Sequence, residues 1–81
     1  MIFPNPSQNN TTVFFQLNQA SSVRTEIRDL AGKSILQTAE EMLPAGNQKL
    51  SINLSTLPEG MYLLTVYTDN SSKTFKLVKH K

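Results

Sequence analysis

Val23-Arg24-Thr25-Glu26-Ile27-Arg28-Asp29 is the stretch that decides the fold class. Val23, Thr25 and Ile27 fall on one face and Arg24, Glu26 and Arg28 on the other, the period of a half-buried antiparallel strand with a solvated side. The same period recurs on either side of it. Thr12-Val13-Phe14-Phe15-Gln16-Leu17 turns Val13, Phe15 and Leu17 inward, and Leu50, Ile52 and Leu54 alternate with Ser51 and Asn53. Phe75 and Leu77 share a face opposite Thr74, Lys76 and Val78. Met61-Tyr62-Leu63-Leu64-Thr65-Val66-Tyr67 is apolar on both faces. It reads as a central strand covered on both sides, or as a strand with one apolar face left for a partner.

Turn signals separate these runs. Asp29-Leu30-Ala31-Gly32 places Asp and Gly at the ends of a type I turn. Leu43-Pro44-Ala45-Gly46 and Leu57-Pro58-Glu59-Gly60 repeat one pattern, in which Pro presets φ and Gly allows a positive φ before the next strand. Asp69-Asn70-Ser71-Ser72 marks the last hairpin. The helix-like stretch from Gln37 to Leu43 lacks a clean apolar stripe and reads as a strand end plus an irregular connection. Six strands are therefore predicted, near 12–17, 23–29, 33–38, 48–54, 61–68 and 73–79, with a seventh at Ile2-Phe3 confined to an edge by Pro4 and Pro6. That pattern describes an all-β, small antiparallel β-sandwich. Its predicted core holds Phe15, Ile27, Leu50, Ile52, Tyr62, Leu64 and Val66.

The chain has 81 residues, 38% of them hydrophobic and 17% charged, which leaves room for one domain over 1–81. Seven Asn, five Gln, eight Ser and eight Thr outnumber the charged residues two to one. Domains on average carry about a quarter charged residues, and a chain this rich in uncharged polar residues has the look of an extracellular β module. There is no Cys, which excludes disulfides, thiolate metal sites and cysteine nucleophiles. No apolar run approaches the ~20 residues needed to span a bilayer as a helix, so no integral membrane segment is expected. Met1-Ile2-Phe3-Pro4-Asn5-Pro6 has neither the basic nor the apolar region of a signal peptide.

Little in the chain points to catalysis, so no enzyme and no cofactor are expected. The single histidine, His80, is penultimate, and no second histidine exists to orient a base. Glu40 and Glu41 are adjacent and point to opposite faces of a strand. The Asp69 turn lacks the spaced carboxylates of a calcium loop. Lys73, Lys76, Lys79 and Lys81 supply half of the basic residues, but alternation splits them between two faces and no aromatic platform accompanies them. With a net charge of only +2, nucleic acid is not an expected partner.

In order along the chain, four motifs resemble those of a known family. Phe3-Pro4-Asn5-Pro6-Ser7 looks like its aromatic-Pro-Asn-Pro opening, with Phe3 where Tyr is frequent, and Asp29-Leu30-Ala31-Gly32-Lys33 resembles its Asp-x-x-Gly turn. Leu57-Pro58-Glu59-Gly60-Met61-Tyr62-Leu63-Leu64-Thr65-Val66 is similar to its Leu-x-x-Gly-x-Tyr strand, and Lys76-Leu77-Val78-Lys79 to its basic-apolar ending. Together they resemble the type A C-terminal sorting domains of the type IX secretion system, also called Por secretion domains.

The resemblance implies an immunoglobulin-like sandwich at the C-terminus of a Bacteroidota-type secreted protein. This chain would then be a domain excised from a larger protein, with an upstream cargo domain. The implied partners are the outer-membrane translocon of the type IX system and a surface sortase-like protease that removes the domain. The implied location is the periplasm in transit, then the cell surface or the medium. Recognition is expected at Pro4, Asn5 and Pro6, or at Lys76, Leu77, Val78 and Lys79, where a terminal edge strand offers backbone groups for strand addition. Phe3, Asp29, Gly32, Gly46, Gly60 and Tyr62 are expected to be structural. The rival reading is an accessory sandwich for interdomain packing or surface glycan binding, for which Tyr67 and Phe14 are the available aromatics.

Overall fold

The alternation around Thr25 is realised as a strand whose odd-numbered residues, from Ser21 to Ile27, are buried. The computed structural model describes residues 2–3 and 9–80. Eight strands follow in order: β1 (Ile2–Phe3), β2 (Asn10–Leu17), β3 (Ser21–Asp29), β4 (Ser34–Gln37), β5 (Glu41–Leu43), β6 (Gly46–Asn53), β7 (Gly60–Tyr67) and β8 (Ser72–Lys79). β1, β2 and β6 form one sheet in that order. β4, β3, β7 and β8 form the second, and β5 pairs with β3 beside β4. All pairings are antiparallel.

The two sheets bury their inner faces against each other. β2 contributes Val13 and Leu17, β6 contributes Ile52, and the segment after it adds Leu54 and Leu57. From the other sheet come Val23, Ile27, Tyr62, Leu64, Val66 and Leu77. Of the expected core, Ile27, Ile52, Tyr62, Leu64 and Val66 lie at its centre, while Phe15 and Leu50 pack against its margin. β7 is central in its sheet, hydrogen-bonded to β3 and β8, as its apolar sequence implied. Its second face is only half covered: Leu63 and Tyr67 are half-buried and Met61 is exposed.

Two local features depart from the sequence reading. The connection expected to be irregular contains β5, which pairs Glu41, Met42 and Leu43 with Val23, Ser22 and Ser21. Between β4 and β5 the ladder is interrupted, and Thr38 bridges the gap. Its hydroxyl accepts from the Thr25 backbone N–H at 2.9 Å and lies 2.8 Å from the Thr25 hydroxyl, and its own N–H donates to the Thr25 carbonyl at 3.0 Å. The polar groups that Thr25 presents on the side away from β7 are thereby satisfied without a strand partner there. In β4, Leu36 lies opposite Ile27 and Ser34 opposite Arg28, so Ile35 is the extra residue of a bulge and is partly exposed. Among the described residues, no helix is long and apolar enough to cross a membrane.

A core built from so few large side chains is sensitive to any one of them. Leu64 is fully buried on the central strand, so Leu64→Ala is expected to lower unfolding free energy by about 2–5 kcal/mol. Met61→Ala, on the exposed side of the same strand, should stay within about 0.5 kcal/mol of the parent. Urea unfolding followed by far-ultraviolet circular dichroism measures both.

Candidate functional site

The motifs singled out in the sequence converge although they are far apart along the chain. Asp29 closes β3 opposite Tyr62 near the start of β7, and Tyr62 lies opposite Leu77 near the end of β8. Asp29, Tyr62 and Leu77 therefore form one row across three strands. Gly60 lies opposite Lys79 beside that row. Gly46 is not part of it: it opens β6 opposite Leu17 in the other sheet. Phe3 lies in β1 opposite Thr12. Pro4, Asn5 and Pro6 lie outside the described residues.

Asp29 and Tyr62 are held by specific hydrogen bonds, and Leu77 by its burial in the core. Asp29 organises the β3–β4 turn with its carboxylate, which accepts from the Ala31 and Lys33 N–H groups, both at 2.9 Å. The Gly32 N–H donates to the Asp29 carbonyl at 3.0 Å, and the Asp29 N–H to the Lys33 carbonyl. Gly32 sits at φ 91°, a left-handed conformation that disfavours any side chain. Gly46 has the same constraint at φ 116° where the chain enters β6. Tyr62 is buried, and its hydroxyl donates to the Pro58 carbonyl at 2.6 Å, tying the turn that precedes β7 to the strand itself. A phenylalanine there would leave that carbonyl without its donor.

The C-terminal motif divides by side-chain direction. Leu77 is fully buried and Lys79 is 6% exposed, whereas Lys76 is exposed and Val78 half-buried on the outer face. Lys79 is buried despite its charge. Its parity places its stem on the core side with Leu77, and its ammonium donates to the His80 carbonyl at 2.9 Å. On the outer face, Val78 lies opposite Met61 and Lys76 opposite Leu63. Leu30, 63% exposed, follows Asp29 at the same end of the sheet. The motif row thus carries an apolar corner with a lysine at its rim.

Beside that corner, the outer face of the sheet is a connected polar layer. Thr65 and Glu26 lie opposite each other on β7 and β3. The Tyr67 hydroxyl donates to Glu26 Oε1 at 3.0 Å and the Gln37 amide to Oε2 at 3.2 Å. Arg24 stacks its guanidinium 4.0 Å from the centre of the Tyr67 ring. Arg28 is 3.8 Å from Glu26 Oε1 through Nε and donates from Nη2 to the Thr65 hydroxyl at 3.2 Å. The Thr65 and Thr74 hydroxyls meet at 2.9 Å. The alternation had shown only a solvated face. The layer depends on the β3–β7 register, which brings Tyr67 to Glu26. With Arg24 over its ring and Glu26 on its hydroxyl, Tyr67 is not an open platform for a sugar.

A family model described as a secretion system C-terminal sorting domain matches residues 1–80. The chain belongs to this family. No curated protein matches it. The family is the C-terminal sorting signal of type IX secretion, a family of signals and not of enzymes, and carrying such a signal implies export to the cell surface or secretion. The row of Asp29, Tyr62 and Leu77 thus belongs to a sorting domain. Among the described residues, no group of three or more His, Asp or Glu is placed to hold a metal ion.

The polar layer has a pH signature. Hydrogen bonding from Ser34 and from Tyr67 holds the Glu26 carboxyl below its ordinary value of 4.5. Arg28 and Gln37 act in the same direction and partial burial opposes them. A carboxyl with a lowered folded-state pKa stabilises the fold above its unfolded value, and that contribution disappears as pH falls through the folded value. The urea midpoint of the parent should therefore drop on acidification below pH 4.5. In Glu26→Gln that part of the drop is absent, and the midpoint at neutral pH is lower than the parent's.

Proposed function

We propose that the type IX machinery reads this domain at the end of the five-stranded sheet where the motifs converge, on the outer surface of β8. The observation that carries the proposal is the row Asp29–Tyr62–Leu77, which unites three separated motifs at one place. Leu77 and Lys79 serve the fold from the inside. Lys76 and Val78, with Met61 and Leu30 beside them, present the side chains that a receptor meets. In this reading the cargo precedes the domain, the assembled protein passes through the periplasm, the outer-membrane translocon engages the corner, and a sortase-like protease then separates cargo from signal. Pro4, Asn5 and Pro6, which follow β1 in the sequence, are a second stretch that the translocon would read.

The test is a fluorescent protein carrying a Sec signal at its N-terminus and this domain at its C-terminus, expressed in a bacterium with an active type IX system. The parent fusion is expected at the surface or in the medium, with the domain removed. Lys76→Glu combined with Val78→Thr should hold the fusion in the periplasm while the melting temperature of the isolated domain stays near that of the parent. Replacing Pro4 and Pro6 with Ala, scored the same way, separates recognition at the opening motif from a structural role. A parent fusion that stays periplasmic in a competent host refutes the assignment.

A further inference from the structure

β2 is paired along its whole length on one side and along only part of it on the other. β6 runs beside all of it, from Asn10 opposite Asn53 to Leu17 opposite Gly46. On the far side, β1 covers Thr12 and Val13 alone, with Phe3 and Ile2 opposite them. Among the described residues, Phe15, Gln16 and Leu17 have β6 as their sole strand neighbour. This uncovered edge faces a trough of about 510 Å³ between β2 and the β7–β8 hairpin. Phe15, Phe75 and Val66 supply its apolar surface, and Lys73 and Ser72 stand at its rim. A second depression of about 360 Å³ continues it past Leu17, sharing Gln16, Asn18, Thr68 and Ser71 with the first.

The direction of β1 says what fits there. β1 is antiparallel to β2, so polypeptide on the N-terminal side of Ile2 heads from Val13 toward Leu17. In unbroken register, the residue one place upstream of Met1 falls opposite Phe15, the second opposite Gln16 and the third opposite Leu17. Residues opposite one another in an antiparallel pair point to the same face. Phe15 and Leu17 face the core side and Gln16 faces solvent. The matching segment is therefore apolar, polar, apolar.

We propose that the trough is the seat of the linker immediately upstream of this domain in the cargo-bearing protein. The linker lengthens β1 by strand addition along Phe15–Leu17 and places apolar side chains against Phe15 and Phe75. This inference rests on the reading that a cargo precedes the domain. It makes the junction part of the sandwich instead of a free hinge. It also puts the cargo's attachment at the opposite end of the sheet from the motif row, because Lys73 opposes Val66 while Lys79 opposes Gly60.

The chain contains no Trp, so one placed in an added linker reports on that linker alone. The probe is the 81-residue chain preceded by Gly-Ser-Val-Thr-Trp, which sets Trp opposite Phe15 and Val opposite Leu17. Docking is expected to shift Trp emission to the blue. It should also slow amide exchange across Phe15–Leu17 by about tenfold or more relative to the chain without the extension. Exchanging the last two added residues, so that Trp faces solvent opposite Gln16, should remove the blue shift. Emission like that of the free peptide, with unchanged exchange in a chain that retains its strand signal, overturns the proposal. The readouts do not involve export. An undocked linker on an exported fusion overturns the docking alone, and a docked linker on a fusion that is not exported leaves docking standing and overturns the sorting role.

Discussion

The pairing of β3 with β7 is the contact on which both faces of this domain depend. On its inner side it sets Thr25 beside Val66 and Ile27 beside Leu64, the centre of the core. On its outer side it sets Arg24 beside Tyr67 and Glu26 beside Thr65, the centre of the polar layer. A slip of one residue would exchange the two faces of whichever strand moved, driving Glu26 and Arg28 into the core or Leu64 and Val66 into water. The register is therefore held from both sides at once. On the outer side Arg28 reaches from β3 to Thr65 on β7, whose hydroxyl continues to Thr74 on β8.

How much of this was legible depended on whether a feature is local. β2, β3, β6 and β8 follow from period two because each turns one face inward, and β7 follows from a short apolar run bounded by turn signals. The turn at Asp29 follows because its carboxylate, its carbonyl and Gly32 lie within four consecutive residues. β5 does not announce itself. Glu41-Met42-Leu43 has no alternation to read, and its strand character comes from the edge that β3 offers at Ser21–Val23. Lys79 misleads for the opposite reason, since a lysine reads as exposed until the neighbouring strand shows its stem beside Leu77. The family motifs were visible one by one, but their meeting in a single row is a property of register.

The sheet end that carries the motif row is a surface without an interior, and the alternation of β8 gives that surface a grain. Motif residues that point inward, Tyr62 and Leu77, keep the sheet end in place. Those that point outward, Lys76 and Val78, are displayed by it. Conserving shape and displaying chemistry thus fall to alternate residues of the same short segment. Substitutions in the ending must accordingly be judged by parity before they are judged by effect on export, because neighbouring positions report on different things.

The long reach of the strand pairings has a consequence in time. β2 finds its partner only when β6 exists, as Asn10 with Asn53 requires, and β3 meets β7 only when Tyr67 can reach Arg24. Non-local antiparallel pairing of this kind is slow, on the order of milliseconds to seconds in small β-domains. During synthesis from the N-terminus, the first sheet waits for Asn53 at the end of β6 and the second for Lys79 at the end of β8. A ribosome that stops before β8 therefore releases a chain without Leu77 in its core and with β7 unpaired along one side.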